Sequence, residues 1–529
     1  MLHTSMSGRG MVTAPHHLAA QSGLEILREG GNAIEAMTAA AATIAVVYPH
    51  MNSIGGDGFW LIAEPGKEPI GVDACGGAAK LASAVFYKDA GHSFIPFRGP
   101  LAALTVAGTI SGWAKALEIS SGWKGRLPLS RLLADAIEYA DAGVPMTAAH
   151  CVMVADKASE MTEAPGFEPV FLSGGLPSAG QIFKNKPLAA ALQQLTKAGL
   201  DDFYRGGLAR SLAADLESMG SPLRLDDFEK HRAKTVTPLS TSVDGARIFN
   251  LPPPTQGLAS LLILAFYNRM RAAEPDGFDH IHRIVECTKR AFKVRDYAVM
   301  DPDYAPAPAA TFLTEEFIGE DLYSIDLVRA AQWPDEGNGK GDTIWMGAID
   351  AEGRSVSFIQ SLYWEFGSGA VLPATGINWQ NRGTSFSLDP ESSNPLMPGK
   401  KPFHTLNPAF ARFSDGRAMV YGTMGGDGQP QTQAAVFSRY AFHGQDLQQA
   451  VTAPRWLLGR TWGSASTTLK LESRFSETTA NKLKQAGHNV EMMDGFTSTM
   501  GHAGAIVLNR DGVLSGAADP RSDGSVAAF

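Results

Sequence analysis

The sequence predicts an α+β fold of four layers, in which two antiparallel sheets lie between two layers of helices. Three observations support this prediction. A helical pattern from Asn32 to Val47 is apolar on nearly all sides, so other layers must cover every face of that helix. The middle third of the chain is mostly helical by pattern, whereas short apolar runs joined by hairpin turns dominate after residue 342. A chain of 529 residues is also long enough for one large layered unit or for two or three domains.

The N-terminal segment is predicted to contain two helices and a strand. The first helix, Pro15–Glu29, is amphipathic and ends at a pair of glycines. Asn32 can cap the second helix, because its side chain can accept hydrogen bonds from free amides of the first turn. A glycine-rich turn then leads into the strand Phe59–Ala63.

Four long helical patterns mark the middle of the chain. They are Leu127–Ala142, Lys186–Ala198, Gly206–Met219 and His280–Met300. The proline run in Leu251–Gly257 predicts a rigid, non-helical crossing between them. Residues 333–341 are polar and rich in glycine, and we expect them to form a flexible linker.

The segment after this linker is predicted to be rich in strands. Thr343–Ile349 and Ser355–Leu362 are apolar runs joined by the hairpin turn Asp350–Arg354. Further strands are predicted at Ala418–Thr423, Thr468–Glu472 and Ala505–Asn509, and helices at Thr432–Phe442 and Ser476–Ala486.

Composition excludes several classes of function. The net charge of −9 argues against a nucleic-acid partner. The three cysteines are far apart in sequence and predict neither a disulfide framework nor a zinc site. No secretory signal is evident, and the longest apolar stretch, Ala36–Tyr48, is too short to span a bilayer. We therefore predict a cytoplasmic protein without a membrane partner.

Common catalytic motifs are missing from the sequence. It contains no G-x-S-x-G, no H-E-x-x-H, no phosphate-binding P-loop and no dinucleotide-binding G-x-G-x-x-G turn. The 13 histidines are scattered, and His280 and His282 fall on opposite faces of a helix. The prediction is a protein with no metal and no cofactor.

One hydroxyl residue, Thr343, stands between the polar linker and a buried strand. A threonine at the start of a strand is usually structural, so the position alone is a weak signal. The surrounding motifs are far more specific, and they occur in order along nearly the whole chain. These motifs are Thr13-Ala-Pro-His-His, Gly30-Gly-Asn-Ala-Ile-Glu-Ala, Gly55-Gly-Asp-Gly-Phe, Gly108-Thr-Ile-Ser-Gly-Trp, Phe203-Tyr-Arg-Gly, Pro252-Pro-Pro-Thr-Gln-Gly, Asp342-Thr-Ile-Trp, Phe366-Gly-Ser-Gly, Gly425-Gly, Ala453-Pro-Arg-Trp and Asp519-Pro-Arg-Ser-Asp-Gly. In them the chain resembles the gamma-glutamyltranspeptidase family of N-terminal nucleophile hydrolases.

This resemblance implies a self-cleaving precursor with the αββα fold of such hydrolases. Breakage of the Asp342–Thr343 bond would give a large subunit, residues 1–342, and a small subunit, residues 343–529, which interweave into one unit. The freed α-amine of Thr343 would then act as the base, since such amines titrate near ~7.7–8.0. The resemblance makes Ser361 a partner of the nucleophile and makes Gly425 and Gly426 the oxyanion donors.

The chain departs from the family's glutamyl-binding pattern in four places. The stretch Asp73–Gly76 lacks the family's arginine, and Ser385 replaces an aspartate before Phe386. His404 and Thr405 replace two serines, and Tyr363 replaces an asparagine. A pocket that loses these complementary groups should bind a zwitterionic glutamyl group poorly.

Arg382 is a charge that the family pattern does not have. A planar guanidinium suits a carboxylate held by two hydrogen bonds, although Arg382 could instead pair with a nearby acid of the protein. The segment 386–401 is also shorter than the family's active-site lid, which favours water as the acceptor. These traits resemble the acylase and amidohydrolase branch of the family. They imply a small carboxylate-bearing amide as substrate, with oxamate and its conversion to oxalate and ammonia in purine breakdown as the leading case. Arg382 would hold the carboxylate, and Tyr363, His404 and Thr405 would complete the pocket.

Two alternatives stay open at this stage. One is an acylase for glutaryl or cephalosporin side chains, or a γ-glutamyl hydrolase or transpeptidase. The other is a non-catalytic binding protein that is never cleaved. The sequence does not decide whether the two subunits assemble further into a homo-oligomer.

Overall fold

The computed structural model of the chain describes residues 3–322, 325–333, 342–459 and 466–529. The predicted linker 333–341 lies outside these residues apart from Trp333.

The described residues contain nineteen strands. In chain order they are β1 (Ser5–Ser7), β2 (Met11–Ala14), β3 (Asp57–Ala63), β4 (Ile70–Asp73), β5 (Val144–Pro145), β6 (Ile182–Phe183), β7 (Lys234–Val236), β8 (Leu239–Val243), β9 (Ala246–Asn250), β10 (Asp342–Ile349), β11 (Ser355–Tyr363), β12 (Ala409–Phe413), β13 (Ala418–Thr423), β14 (Trp456–Leu458), β15 (Leu469–Glu472), β16 (Val490–Met493), β17 (Ala503–Leu508), β18 (Leu514–Ala518) and β19 (Ser525–Ala528).

Eighteen α-helices accompany these strands in the described ranges. They are α1 (His17–Arg28), α2 (Ala33–Val47), α3 (Ala84–Asp89), α4 (Thr109–Gly122), α5 (Leu129–Leu132), α6 (Ala134–Ala142), α7 (Ala148–Lys157), α8 (Phe167–Phe171), α9 (Lys186–Ala198), α10 (Asp202–Arg205), α11 (Gly207–Met219), α12 (Leu225–Lys230), α13 (Gly257–Arg269), α14 (Phe278–Ala298), α15 (Glu315–Leu322), α16 (Gly428–Phe437), α17 (Leu447–Thr452) and α18 (Glu477–Gln485).

Two seven-stranded sheets form the centre of the molecule. One has the strand order β1-β18-β17-β13-β12-β9-β8 and the other the order β19-β2-β10-β11-β3-β4-β7. All the strand pairs in both sheets are antiparallel. Apolar side chains such as Phe59, Trp345, Phe410 and Ile506 fill the space between the sheets. Helices α1, α2 and α4 cover the β10 sheet, and α13, α16 and α17 cover the β13 sheet. The predicted four-layer αββα fold is confirmed.

Helix α2 shows why the layers are needed. Asn32 accepts hydrogen bonds from the amides of Ile34 and Glu35, and the Glu35 carboxylate accepts one from the Asn32 amide, which completes a capping box. All fifteen residues of the helix are buried, Glu35 and two threonines included. An apolar helix of this kind is stable only between other elements, and α2 packs against α1, α6 and strand β10.

Three element predictions differ from the structure. The pattern Leu127–Ala142 forms two helices that divide at Leu133. Strands β7 to β9 occupy a region read as helical, because strands of three to five residues give too few alternations to reveal a period of two. The strand predicted at Thr468–Glu472 is confirmed as β15, Leu469–Glu472, and it belongs to a separate three-stranded sheet, β14-β15-β16. The helix predicted at Thr432–Phe442 starts earlier, at Gly428, and ends in a π turn over Ser438–Phe442. In the described ranges, no helix combines the length and the apolar character that crossing a membrane requires.

A buried ion network joins the small sheet to the central sandwich. Arg521 binds Glu472 through two hydrogen bonds, both at 2.7 Å, and its Nη1 lies 3.1 Å from Asp519 Oδ1. Arg455 Nη2 lies 2.5 Å from Asp519 Oδ2, and all four side chains are inaccessible to solvent. Burial alone would raise the pKa of Asp519, but Arg455 and Arg521 hold that pKa below its ordinary value. Three of these residues belong to the motifs Ala453-Pro-Arg-Trp and Asp519-Pro-Arg-Ser, which therefore have a structural role.

Replacement of Arg455 by Met should destabilise the protein strongly, because it leaves the buried Asp519 charge with one arginine fewer. We expect a loss of about 3–5 kcal/mol, seen as a lower midpoint of thermal unfolding. The effect should shrink as the pH falls below about 4, because the unfolded aspartate then takes up its proton while native Asp519, whose pKa is lower, loses its charge only at more acid pH. The control is Lys230→Met, which removes an exposed ion pair with Asp226 and should cost less than about 0.5 kcal/mol. Equal midpoints for the two variants would contradict the assignment.

Candidate active site

Thr343 lies inside a strand, at an irregularity in the pairing of β10 with β11. Asp342 pairs with Tyr363, and Ile344 pairs with Gln360. Two residues of β11, Ser361 and Leu362, therefore lie opposite the single residue Thr343 of β10. Such a bulge bends the strand and redirects the side chains beside it. The Thr343 side chain is fully buried. The predicted cleavage bond, Asp342–Thr343, therefore lies in β10, the strand next to the central strand of a covered sheet.

Three polar side chains converge on the hydroxyl groups at this bulge. Thr343 Oγ1 donates to Ser361 Oγ at 3.2 Å and accepts from Gln429 Nε2 at 3.4 Å. Ser361 Oγ also accepts from the Tyr363 amide at 2.8 Å and from Arg382 Nη2 at 3.4 Å. The structure thus brings together Thr343, Ser361 and Arg382, three of the residues predicted from the sequence. Gln429 is a contact that the sequence did not predict.

Arg382 is a buried cation held by neutral groups. It opens a short 3₁₀ turn, Arg382–Ser385, and none of its surface reaches solvent. Its Nη1 donates to Thr405 Oγ1 at 3.2 Å, and its guanidinium carbon lies 4.0 Å from the centre of the Tyr363 ring. Nε has no hydrogen-bond partner, and in the described part of the chain Arg382 forms no ion pair with a carboxylate. Burial lowers the pKa of Arg382 to about 10.

Tyr363 and Phe366 have strained backbones beside this arginine. Their φ angles are +87° and +58°, which lie in the left-handed region that aromatic residues rarely adopt. Strain of this kind costs of order 1–3 kcal/mol and persists only where the surroundings enforce it. Here it turns the chain after β11 so that the Tyr363 ring lies against Arg382.

The two predicted oxyanion residues lie in the turn between β13 and α16. Gly425 has a φ of +120° and Gly426 a φ of +52°, conformations that favour glycine. The amide N–H groups of both residues lack an acceptor among the described residues, whereas their carbonyls accept from Gly428 and Gln429. The Gln429 side chain reaches Thr343, so this turn directly adjoins the predicted nucleophile.

Gln256 connects the two loops that close the site, and nothing in the sequence apart from its family motif pointed to this role. Its Nε2 donates to the carbonyls of Thr405 and Gly426, each at 2.8 Å. Its backbone amide donates to the His404 carbonyl at 3.0 Å. Arg295 in turn donates to Gln256 Oε1 and lies 3.3 Å from an Asp427 carboxylate oxygen. Gln256 thereby fixes the spacing between the His404–Thr405 pair and the diglycine turn.

His404 lies beside an acid that the sequence reasoning missed. Asp57 Oδ2 and His404 Nε2 are 3.3 Å apart, and both side chains are fully buried. Burial raises the pKa of Asp57 to about 7, against the opposing effects of Arg382 and the amides of Gly76 and Gly108. Burial also lowers the pKa of His404 well below its ordinary value, as do Arg382 and Lys401. The motif Gly55-Gly-Asp-Gly-Phe contained Asp57, but no sequence signal placed it near His404.

The position that lacks the family's arginine lies near Arg382. Cys75 occupies that stretch, and its thiol is close enough to Arg382 to influence the pKa of the guanidinium. Asp73, at the start of the same stretch, pairs with Lys401 at 2.5 Å. Ser385, which replaces the family's aspartate, ends the 3₁₀ turn that Arg382 begins. The new arginine and the altered positions thus cluster in one region.

One group of described side chains has metal-ligand spacing. The ligand atoms of His282, Glu286 and His488 all lie within 4.8 Å of one another. His282 Nδ1 and His488 Nε2 are 2.9 Å apart, and the Glu286 oxygens accept from Lys289 Nζ at 2.7 Å and from the Ala331 amide at 3.2 Å. Since the Lys289 ammonium already neutralises Glu286, the group is a closed polar network. The absence of a metal stays a prediction.

Comparisons with known proteins agree with this arrangement. The family model described as gamma-glutamyltranspeptidase matches residues 19–529. The chain is 54% identical to the oxamate amidohydrolase proenzyme of Klebsiella pneumoniae over the full length of both chains. It is 39% identical to the glutathione hydrolase-like YwrD proenzyme of Bacillus subtilis, with 97% of each chain covered. The crystal structure of cephalosporin acylase from Bacillus halodurans superposes with a TM-score of 0.92 at 32% identity, covering 100% of this chain and 97% of that one.

The match extends from the first helix to the last strand, and it includes the bulge, the diglycine turn and the Gln256 crossing described above. The family predicted from the sequence is confirmed: the chain belongs to the gamma-glutamyltranspeptidase family.

Proposed function

We propose that this protein is a self-cleaving amidohydrolase that acts on a small amide bearing a carboxylate, with oxamate as the substrate. Cleavage at Asp342–Thr343 divides it into a large subunit, residues 1–342, and a small subunit, residues 343–529. Thr343 is the nucleophile, Ser361 its hydrogen-bond partner, and Gly425 and Gly426 the oxyanion donors. The relative from Klebsiella pneumoniae, an oxamate amidohydrolase proenzyme, supports this choice of substrate.

The observation that carries the proposal is the lack of a counter-ion at Arg382. A fully buried guanidinium that donates only to hydroxyl groups is incompletely compensated, and burying a charge is costly without a partner of opposite sign. A substrate carboxylate would supply that charge. Arg382 Nη2 and Thr343 Oγ1 both contact Ser361 Oγ, so a carboxylate on Arg382 places the adjacent amide carbon near Thr343. Oxamate has its amide and its carboxylate on neighbouring carbons.

Self-cleavage follows from the same geometry. Thr343 Oγ attacks the carbonyl carbon of Asp342, and the hydroxyl proton passes to the peptide nitrogen. That nitrogen departs as the α-amine of Thr343, and an ester links the two residues. Water then hydrolyses this ester, which leaves a carboxylate on Asp342 and a free hydroxyl on Thr343. The hydrogen bond from Thr343 to Ser361 orients the hydroxyl for the attack.

Turnover repeats this chemistry on the substrate. The α-amine takes the proton of the Thr343 hydroxyl as its oxygen attacks the amide carbon, and amides of the diglycine turn stabilise the oxyanion. The amine returns the proton to the departing nitrogen, which leaves as ammonia. Water hydrolyses the remaining acyl ester, and oxalate is released. No cofactor takes part in these steps.

An acylase activity is the second candidate, because the cephalosporin acylase structure from Bacillus halodurans is so similar. Release of ammonia from oxamate, compared with release of the amine from a glutaryl amide, distinguishes the two activities. Residence in the cytoplasm and assembly beyond the two subunits stay predictions.

Thr343→Ala should abolish both processing and activity, because it removes the attacking oxygen. Wild-type protein is expected to separate into pieces of about 36 and 20 kDa, by their shares of 529 residues and 56.2 kDa. The variant should stay at 56.2 kDa on a denaturing gel and release no ammonia. Thr288→Ala, at a buried threonine of helix α14 that bonds only its own helix, is the control and should be processed normally. Normal cleavage of Thr343→Ala would refute the assignment.

Arg382→Met should chiefly weaken binding of the substrate carboxylate, because methionine fills a similar volume without the charge. We expect KM for oxamate to rise by the equivalent of about 1.5–3 kcal/mol, the range for hydrogen bonds to charged groups. The matched comparison is a neutral amide of similar size, whose poor turnover should change much less. If the variant loses activity on both amides equally, Arg382 has a structural role and does not bind substrate.

A further inference from the structure

Asp57 lies in the same row of the β10 sheet as the two catalytic hydroxyl groups. It begins strand β3 and pairs directly with Ser361 of β11, so both side chains point to the same face. Ser361 contacts Thr343 on that face. A buried carboxylate therefore stands two strands away from the nucleophile, in a position that the proposed chemistry does not use.

The two oxygens of Asp57 have different surroundings. Oδ1 accepts from the amides of Gly108 at 2.9 Å and Gly76 at 3.2 Å, which fixes the carboxylate in place. Oδ2 faces His404 Nε2 at 3.3 Å without forming a hydrogen bond to it, and the Gln380 side chain also acts on this carboxylate and lowers its pKa. A structural role, in which the carboxylate binds backbone amides, explains the position of Oδ1. It does not explain Oδ2, which is buried and points at the His404 imidazole.

The backbone of His404 is held in place by hydrogen bonds, whereas its ring nitrogens form none. Its amide donates to the Pro254 carbonyl at 2.9 Å, and its carbonyl accepts from the Gln256 amide at 3.0 Å. The ring stands edge-on to Phe59, with the centres 4.9 Å apart. Neither ring nitrogen has a hydrogen-bond partner. The two atoms lie within hydrogen-bond distance but are not aligned for a hydrogen bond in this structure, so a small rotation of either side chain is what lets them share one proton.

We propose that Asp57 and His404 form a proton-sharing couple that determines whether Arg382 accepts a substrate carboxylate. The inference rests on the proposed function, since it takes Arg382 as the carboxylate site. With its proton the couple is neutral, and the charge of Arg382 is available to the substrate. Without the proton the Asp57 carboxylate is the counter-ion of Arg382, and it repels a second carboxylate in this buried site. Asp57 is thus a specificity-determining residue that acts through Arg382.

The surroundings of the couple are consistent with a proton that moves near neutral pH. Burial raises the pKa of Asp57 to about 7, and Arg382 is the charge that opposes the rise. The other titratable groups that interact with the pair are the Cys75 thiol and the Tyr204 phenol on the Asp57 side and Lys401 on the His404 side. Burial raises the pKa of both Cys75 and Tyr204, so they stay neutral, and Lys401 is paired with Asp73.

The direction of the pH effect follows from these charges. As pH rises through about 7, the couple loses its proton and carboxylate binding weakens, so KM for oxamate should rise up to about tenfold per pH unit. The α-amine of Thr343 has the opposite effect on the chemical step, since it must be neutral to act as a base, and kcat should rise over the same range. Separate pH profiles of KM and kcat therefore distinguish the two groups.

Asp57→Asn is the test variant, because it keeps the shape and removes the charge. Its KM for oxamate should stay flat between about pH 6 and 9, while its kcat keeps the wild-type dependence on the α-amine. Asp350→Asn is the matched control. Asp350 is another buried aspartate, whose pKa is also raised by burial, and it lies at the opposite end of the β10–β11 hairpin. This control should keep the wild-type KM profile.

A binding measurement on the wild-type enzyme makes the test independent of any variant. Calorimetric titration with the product oxalate, in two buffers of different ionisation enthalpy at about pH 8, should show uptake of close to one proton per bound ligand. Asp57→Asn should take up about one proton fewer than wild type, any remainder being bound by the α-amine of Thr343. The couple is ruled out if wild type takes up no proton, or if Asp57→Asn retains the wild-type KM profile. Failure of the Arg382→Met prediction would instead overturn the proposed function on which the couple depends.

Discussion

The hydrogen bond from Thr343 Oγ1 to Ser361 Oγ is the contact on which the rest of the site depends. It exists because β10 and β11 pair irregularly at this one place, which turns Thr343 out of a regular ladder and towards Ser361. The four-layer fold holds these strands near the middle of a covered sheet, where water cannot compete for the hydroxyl groups. The proposed self-cleavage by Thr343 needs such a fixed geometry before any substrate arrives.

The charges at the site are also arranged in a specific way. Arg382 is buried among hydroxyl groups and an aromatic ring, and the nearest acid, Asp57, faces His404. A direct ion pair between Arg382 and Asp57 would have neutralised the arginine and prevented it from binding an anion. The structure instead leaves a cation whose missing partner is small, negative and adjacent to Thr343. This arrangement explains why the chain differs from the family at the glutamyl-binding positions and matches it at the predicted catalytic positions.

The sequence predicted those parts of the structure that depend on local patterns. Helix α2, the Asn32 cap, the hairpin around Asp350 and helix α9 follow from periodicity, capping and turn chemistry, and the structure confirms them. The family motifs also indicated Thr343, Ser361 and the diglycine turn, which do lie together. The short strands β8 and β9 were missed because five residues carry little periodic signal.

Contacts between distant segments could not be predicted. The approach of Asp57 to His404 depends on the packing of two sheets, and the cross-link through Gln256 depends on the loops at their ends. The network of Arg455, Asp519, Arg521 and Glu472 was visible only as separate motifs. Side-chain geometry across sheets is set by tertiary packing, and a single sequence does not encode it as a readable pattern.

The most direct test of this account is mass spectrometry of enzyme quenched with acid during turnover of oxamate. The account predicts a small subunit whose first residue is Thr343 and which carries one oxalyl group as an ester on that residue. An active enzyme in which residues 342 and 343 are still joined, or an oxalyl group attached to another side chain, would contradict it.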